Sequence, residues 1–308
     1  MEKHISVLLK ETIDSLNIKE NGIYVDATLG FAGHSSEILK RIPNGKLYAF
    51  DKDETAVSYS HERLNKISNN FKLYNEGFEN IKKRCEEENI KPDGILFDLG
   101  VSSVEIDDAS RGFSYMKDAP LDMRMDINNP LTAQVVVNTY SVEDLTKIFR
   151  QYGEEKHALK IAKEIEKERQ TKKIETTKEL VDIIDRCYPY KEKRNTHPAK
   201  KVFQAIRIEV NNELEEFEKT LKDCLEILNI KGRIAVITFH SLEDRICKNI
   251  FKEVTTENPI VKGMPNIPNE MLPDFKLITN KPILPQDYEI EHNKRSKSAK
   301  LRVIEKIK

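Results

Sequence analysis

Short apolar runs punctuate the first hundred residues, each ending in a polar or glycine turn. They are GIYVDATLG (22–30), KLYAFDKD (46–53), FKLYNEG (71–77) and GILFDLG (94–100). They are rich in Val, Ile, Phe and Tyr, the residues that fit a pleated, buried surface. Between them, HSSEILKRI and ETAVSYSHERLNKI place apolar residues at helical intervals. Strand and helix alternating at this spacing predict βαβ units and a parallel sheet. The strands are nearly continuous in apolar character, which fits a sheet covered on both faces. After residue 103 the pattern changes. SVEDLTKIFRQY opens with a Ser141…Asp144 capping signature, and GEEKHALKIAKEIEKERQ and TTKELVDIIDRCY carry helical periodicity. The next strand is GRIAVITFH (232–240), preceded by apolar positions 203, 206, 210, 214, 217, 221, 225 and 228 on one long helix or two consecutive ones, with Pro198 in the first turn. Two late segments, FKLIT and KLRVIEKI, predict strands at an antiparallel edge. The expected organisation is a discontinuous α/β domain, 1–105 with 209–308, and a helical insertion, 106–208.

Length and composition narrow this picture. A chain of 308 residues suits about two domains. Charged residues make up 33% and hydrophobic ones 38%, and no apolar run reaches the roughly 20 residues of a membrane span. The start, MEKHISVLLKE, lacks the features of a signal peptide, so the expected compartment is the cytoplasm. Cysteines 85, 187, 224 and 247 form no C-x-x-C clamp, so buried thiols and no metal site are expected. A net charge of −1 excludes a global pull on nucleic acid but not a local basic patch. Lys294, Arg295, Lys297, Lys300 and Arg302 could form one, and HPAKK (197–201) a smaller one; a solvated tail is the plain alternative.

In an open α/β sheet, ligands bind outside the carboxyl ends of the strands. Those positions here hold Asp26 with the turn Thr28–His34, then Asp51, Phe78, Asp98 and His240. A dinucleotide turn, G-x-G-x-x-G, would put its glycines at Thr28, Gly30 and Gly33, and the first is missing. No G-K-[ST] follows, which excludes a P-loop. Asp51 stands where a carboxylate accepts from both ribose hydroxyls of an adenosine, with Asp53 as competitor and a helix cap as the plain alternative. Phe78 could line an adenine pocket or simply pack. Asp98 is costly at the mouth of a central strand unless it is solvated, paired or working. His240 is either a hydrogen-bonded structural residue or a participant in the chemistry.

Taken together, HISVLLKE, DATLGFAGHS, FDLGVSS, RGFSY, LDMRMD, QYGEE, HPAKKVFQAIRIEVNNEL, ITFHSLEDR and RSKSAKLR resemble the bacterial 16S rRNA (cytosine-N4)-methyltransferase RsmH (MraW) family, in order from residue 4 to 302. The resemblance implies a class I S-adenosylmethionine-dependent methyltransferase fold, Rossmann-like with a mostly parallel sheet, carrying an inserted helical domain for substrate recognition. It implies S-adenosyl-L-methionine as cofactor and, as substrate, the N4 of the decoding-centre cytidine, conventional position 1402, in the small ribosomal subunit. Neither membrane nor DNA is an expected partner, and the oligomeric state is left open, a homodimer included. The family's cofactor contacts carry over onto Ala32, Gly33, His34, Asp51, Phe78, Asp98 and Glu105, with Asp98 also the candidate catalytic group. Two residues depart from the pattern. Glu105 replaces the usual Gln, and Phe31 stands where a small residue is usual, so its ring must point away from the cofactor. The D-L-G-V at Asp98 lacks the stacking aromatic that DNA amino-methyltransferases carry there, a role for which Phe113 and Tyr115 are candidates. The competing classes are an NAD-dependent dehydrogenase and an RNA-binding module on an inactive methyltransferase fold.

Overall fold

The computed structural model describes residues 6–100, 108–189, 197–257 and 268–308. The chain divides into two compact units, Met1–Gly100 with Leu214–Lys308, and Val101–Glu213.

The first unit alternates helices and strands: α1 (Leu9–Leu16), β1 (Ile23–Asp26), α2 (Gly33–Arg41), β2 (Lys46–Phe50), α3 (Glu54–Asn65), β3 (Phe71–Tyr74), α4 (Ile81–Glu87) and β4 (Gly94–Asp98). The four early apolar runs thus become four strands. They pair with β5 (Arg233–Thr238), β6 (Phe275–Leu277) and β7 (Lys300–Lys306) in a seven-stranded sheet of order β3-β2-β1-β4-β5-β7-β6. β1 to β5 pair in parallel. The expected antiparallel edge is half right. β7 is antiparallel to both β5 and β6, so only β7 is reversed and β6 points with the rest. The reason is the connection: α11 (Ser241–Thr255) lies between β5 and β6, and a helical crossover returns the chain parallel.

Side chains alternate across the sheet. Val25, Ile95, Phe97, Ile234 and Val236 face one core, joined by Phe217, Leu221, Cys224 and Cys247. Tyr24, Leu96, Ala235 and Ile237 face the other, against Leu16, Ile38 and Leu39. Burial on both faces is why these runs read as continuously apolar. The order reverses between β1 and β4, so a crevice is expected past their carboxyl ends.

The second unit is helical: α5 (Ala133–Thr139), α6 (Val142–Gln151), α7 (Ala158–Arg169), α8 (Thr177–Cys187) and α9 (Ala199–Asn211). Ser141 caps α6 by accepting from Asp144 N. Thr176 and Glu179 form a full capping box on α8. Its core includes Phe149, Ile161, Leu180 and Phe203. Asn211 holds the LDMRMD loop: its Nδ2 donates to Met123 O at 2.8 Å and its Oδ1 accepts from Met125 N at 2.8 Å. The long apolar series is two helices, because Asn212 takes a left-handed conformation (φ 49°) and α10 (Glu213–Ile227) starts afresh. No described helix is long and apolar enough to cross a membrane.

Candidate functional site

The turn after β1 is built by hydrogen bonds from three strand ends. Thr28, where a dinucleotide turn would carry glycine, accepts at Oγ1 from Asp98 N at 2.7 Å. Its own N–H donates to Asp26 Oδ1 at 3.1 Å. A hydroxyl at this position therefore joins the ends of β1 and β4. Gly30 has φ +48°, and a Cβ there would meet nothing nearer than Thr28 O at 4.0 Å, so space is open beside it. Gly33 is the opposite case: a Cβ would lie 1.7 Å from Ser6 Oγ, so only glycine lets the N-terminal segment approach. Ala32 is fully buried, left-handed (φ 57°), and offers α2 no side-chain cap. The first turn of α2 thus presents N–H groups that an anionic ligand group can satisfy.

Asp51 accepts from Gly30 N at 2.8 Å through Oδ2 and from Asp53 N at 2.9 Å through Oδ1. A carboxylate has about four lone-pair sites, and these two backbone donors use one on each oxygen. The competitor, Asp53, is the helix cap: it accepts from Thr55 N at the start of α3. Phe31 packs edge-on to Tyr59 of α3, ring centroids 5.1 Å apart, and its carbonyl accepts from Arg63 at 2.7 Å. Its ring is thus engaged by α3. Phe78 opens a short helical turn after β3 and meets Phe97 of β4 edge-on at 5.9 Å.

Asp98 closes β4. One carboxylate oxygen, Oδ2, lies 3.4 Å from His34 Nδ1. The other, Oδ1, is buried with no hydrogen-bond partner among the described residues. Burial, followed by the carboxylates of Asp26, Glu243 and Glu289, pushes the Asp98 carboxyl well above the usual range. Asp26, wholly buried, is pushed up to about 6 by burial, against hydrogen bonds from Ser35 Oγ (2.6 Å) and Thr28 N. His34 is anchored from outside the turn, with Nε2 3.2 Å from Val7 O.

The structure therefore brings Gly30, Ala32, Gly33, His34, Asp51 and Asp98 to adjoining strand ends. Glu105 lies outside the described residues. His240 accepts from Glu243 N, and Glu243 accepts from Phe239 N at 2.7 Å and His240 N at 3.2 Å. This is a capping box on α11, with His240 in the place that Ser or Thr usually takes. In the basic tail, Lys300 and Arg302 bind the two oxygens of Asp244 at 2.9 and 2.7 Å, while Lys294, Arg295 and Lys297 are exposed. Phe113 belongs to the helical unit's core, and Tyr115 packs on His197 and Phe203.

A sheet ordered 3-2-1-4-5-7-6 with the seventh strand reversed, a glycine turn after the first strand and a carboxylate after the second defines a class I S-adenosylmethionine-dependent methyltransferase. The chain belongs to the MraW methylase family, which it matches over residues 1–307. Family and fold together make S-adenosylmethionine its methyl donor and set aside the dehydrogenase alternative. The fold is similar to that of an rRNA methylase from Streptococcus thermophilus (14% identity, 100% of this chain and 99% of that one, TM-score 0.43). It is also similar to a putative rRNA methylase from Clostridium thermocellum (13%, 99% of each chain, TM-score 0.43). A putative methyltransferase from Streptococcus mutans in complex with SAH is a third (15%, 99% and 100%, TM-score 0.41).

Proposed function

We propose that the chain methylates the exocyclic N4 of a cytidine in 16S rRNA, the decoding-centre position 1402 in conventional numbering, within the small ribosomal subunit in the cytoplasm. Family membership supports the methylase activity. The observation that carries the assignment to an amino group is Asp98. It presents a buried carboxylate oxygen without a hydrogen-bond partner among the described residues, at the mouth of a central strand. Such an oxygen suits a donor that arrives with the substrate, and an amine brings two N–H groups.

The residues fit S-adenosylmethionine. The space beside Gly30 admits close backbone approach. The uncapped start of α2 at Ala32, Gly33 and His34 suits the methionine carboxylate, and Asp51 suits the ribose hydroxyls, with Phe78 beside the base. Glu105 is assigned here on the family pattern alone. When bound, the cofactor supplies an electrophilic methyl group on a sulfonium. The protein's part is alignment and proton removal. Cytosine N4 is a weak nucleophile, because its lone pair is delocalised into the ring. Asp98 as carboxylate accepts from an N4 hydrogen, orients the lone pair and takes up the proton released as the amine is alkylated. Thr28 fixes the backbone of Asp98, and His34 faces its side chain. The target base must leave its stack to reach the crevice. The helical unit, Val101–Glu213, we assign to substrate recognition.

The test is methyl transfer from labelled S-adenosylmethionine to purified small subunits, with the mark mapped on the RNA. A mark on N4 of the decoding-centre cytidine is expected. A mark on another atom or base sinks the specificity, and no transfer with intact RNA binding would favour an inactive binding module. Asp98→Asn should cut single-turnover methyl transfer far more than cofactor binding; undiminished turnover removes Asp98 from the chemistry.

A further inference from the structure

Asp98 can accept a proton only as a carboxylate, yet its surroundings favour the protonated acid. Its Oδ1 is buried, and Asp26 from β1, Glu243 from α11 and Glu289 from α12 (Asp287–His292) all add negative potential. The group facing it from α2 is His34. The imidazole is held by Val7 O, 3.2 Å from Nε2. A carbonyl only accepts, so Nε2 carries a hydrogen. Nδ1 is then a bare lone pair in the neutral ring and an N–H in the cation. Were neither partner protonated, that nitrogen would lie 3.4 Å from a carboxylate oxygen with no proton between two electron-rich atoms. One proton between them removes the repulsion, and it belongs to the pair rather than to either residue.

We propose that His34 and Asp98 hold one proton jointly in the ligand-free protein, and that a ligand bringing positive charge beside Asp98 expels it to solvent. This rests on the reading of the crevice as the S-adenosylmethionine site. The methyl donor is cationic at sulfur, and the spent cofactor, S-adenosylhomocysteine, is neutral there. The proton count closes over one turnover. One proton leaves to water as the sulfonium binds. The vacated pair then takes the proton lost from N4 as the N–C bond forms and the C–S bond breaks. With the sulfur neutral, the pair keeps it, and the starting state is restored. His34 is thus a positioning residue that makes the acid responsive to the charge of the cofactor. The pair also discriminates donor from product through that charge.

Calorimetric titration in two buffers of different ionisation enthalpy reads the protons exchanged on binding. S-adenosylmethionine should release up to about one proton more than S-adenosylhomocysteine. Sinefungin, cationic at the corresponding position without a transferable methyl, should follow the donor. The difference should vanish in Asp98→Asn, which also subtracts any proton exchanged by the ligand's own amine, and should shrink in His34→Gln. On the unaltered protein, Kd for S-adenosylmethionine should fall by up to about tenfold per pH unit until the pair has titrated, then level off, whereas Kd for S-adenosylhomocysteine stays flat. Equal proton release by the two ligands, or a difference that survives Asp98→Asn, overturns the proposal. If the unaltered protein binds S-adenosylhomocysteine and S-adenosylmethionine not at all, the reading of the crevice itself falls first.

Discussion

Thr28 shows how a missing motif residue carries information. A glycine there would leave the end of β4 without the hydroxyl that accepts from Asp98 N at 2.7 Å. Asp51, which we propose for the ribose, already has a structural role: its carboxylate holds Gly30 N and Asp53 N. Losing a charge-assisted contact costs roughly 1.5–3 kcal/mol. Asp51→Ala should therefore weaken S-adenosylmethionine binding by about 10- to 150-fold in calorimetry. Asp51→Asn should not rescue it, because its NH2 would face one of the two backbone donors; unchanged affinity in either variant ends the ribose assignment. Asp26 makes a pH prediction. Its carboxyl titrates near 6 when folded, against 3.8 ordinarily, so its stabilising contribution is complete below about pH 4 and is lost as pH rises through 6. The shift is worth about 3 kcal/mol. In Asp26→Asn, Thr28 N and Ser35 Oγ both keep a partner, so this share of the pH dependence should disappear from urea unfolding between pH 4 and 7. Identical profiles for the two proteins would contradict the raised value. Asp51 and Asp98 were legible in the sequence because position past a strand end depends only on local pattern. The contact of His34 with Asp98 was not, since it depends on the fold bringing α2 to β4 and on Val7 holding the ring.

At the level of elements, periodicity read β1, β2, β4 and β5 well because each is buried on both faces, and the edge strand β3, with Lys72 exposed, through Phe71, Leu73 and Tyr74. It could not separate α9 from α10, because apolar positions 206, 210, 217 and 221 keep helical spacing across Asn212, and one left-handed residue leaves no hydrophobic trace. The direction of β6 was equally hidden, since a three-residue strand carries no mark of orientation. At the start of α11, His240 caps the helix. Glu243 is buried (2% exposed) and accepts from two backbone donors while its Oε1 lies 3.0 Å from His240 Nε2. Glu243→Ala should cost about 1.5–3 kcal/mol in urea unfolding, the range for hydrogen bonds to a charged group. His240→Asn puts a preferred cap residue at the same position and should stay within about 1 kcal/mol of the unaltered protein with methyl transfer retained. Collapse of transfer in a stable His240→Asn protein would return His240 to the chemistry.

At the scale of the molecule, the apolar cores on the two faces of the sheet and the separate core of the helical unit answer to two kinds of sequence pattern. The sheet unit buries Phe50, Phe97 and Phe217, the helical unit Phe149, Ile161 and Phe203, and each core is assembled from its own unit's elements. The change of periodicity after the fourth strand made the existence of the helical segment legible. Its edges at 100/101 and 213/214 depend on tertiary packing that no local pattern records. Separate cores also bear on how the chain melts. Units that bury their apolar surface independently need not unfold together, and a single two-state transition is not the default for such a chain. The crevice we propose for the cofactor lies in the sheet unit, at the ends of β1, β2 and β4, which hydrogen bonds tie together. Scanning calorimetry should therefore resolve two transitions. S-adenosylmethionine at about 100 times its Kd should stabilise one of them by about 2.7 kcal/mol. For a unit of this size that is a rise of about 5–10 °C, with the other transition nearly unmoved. A single transition that shifts as a whole would mean that the two units, though their cores are separate in composition, are coupled in stability, and cofactor binding would then stabilise the helical unit as much as the sheet.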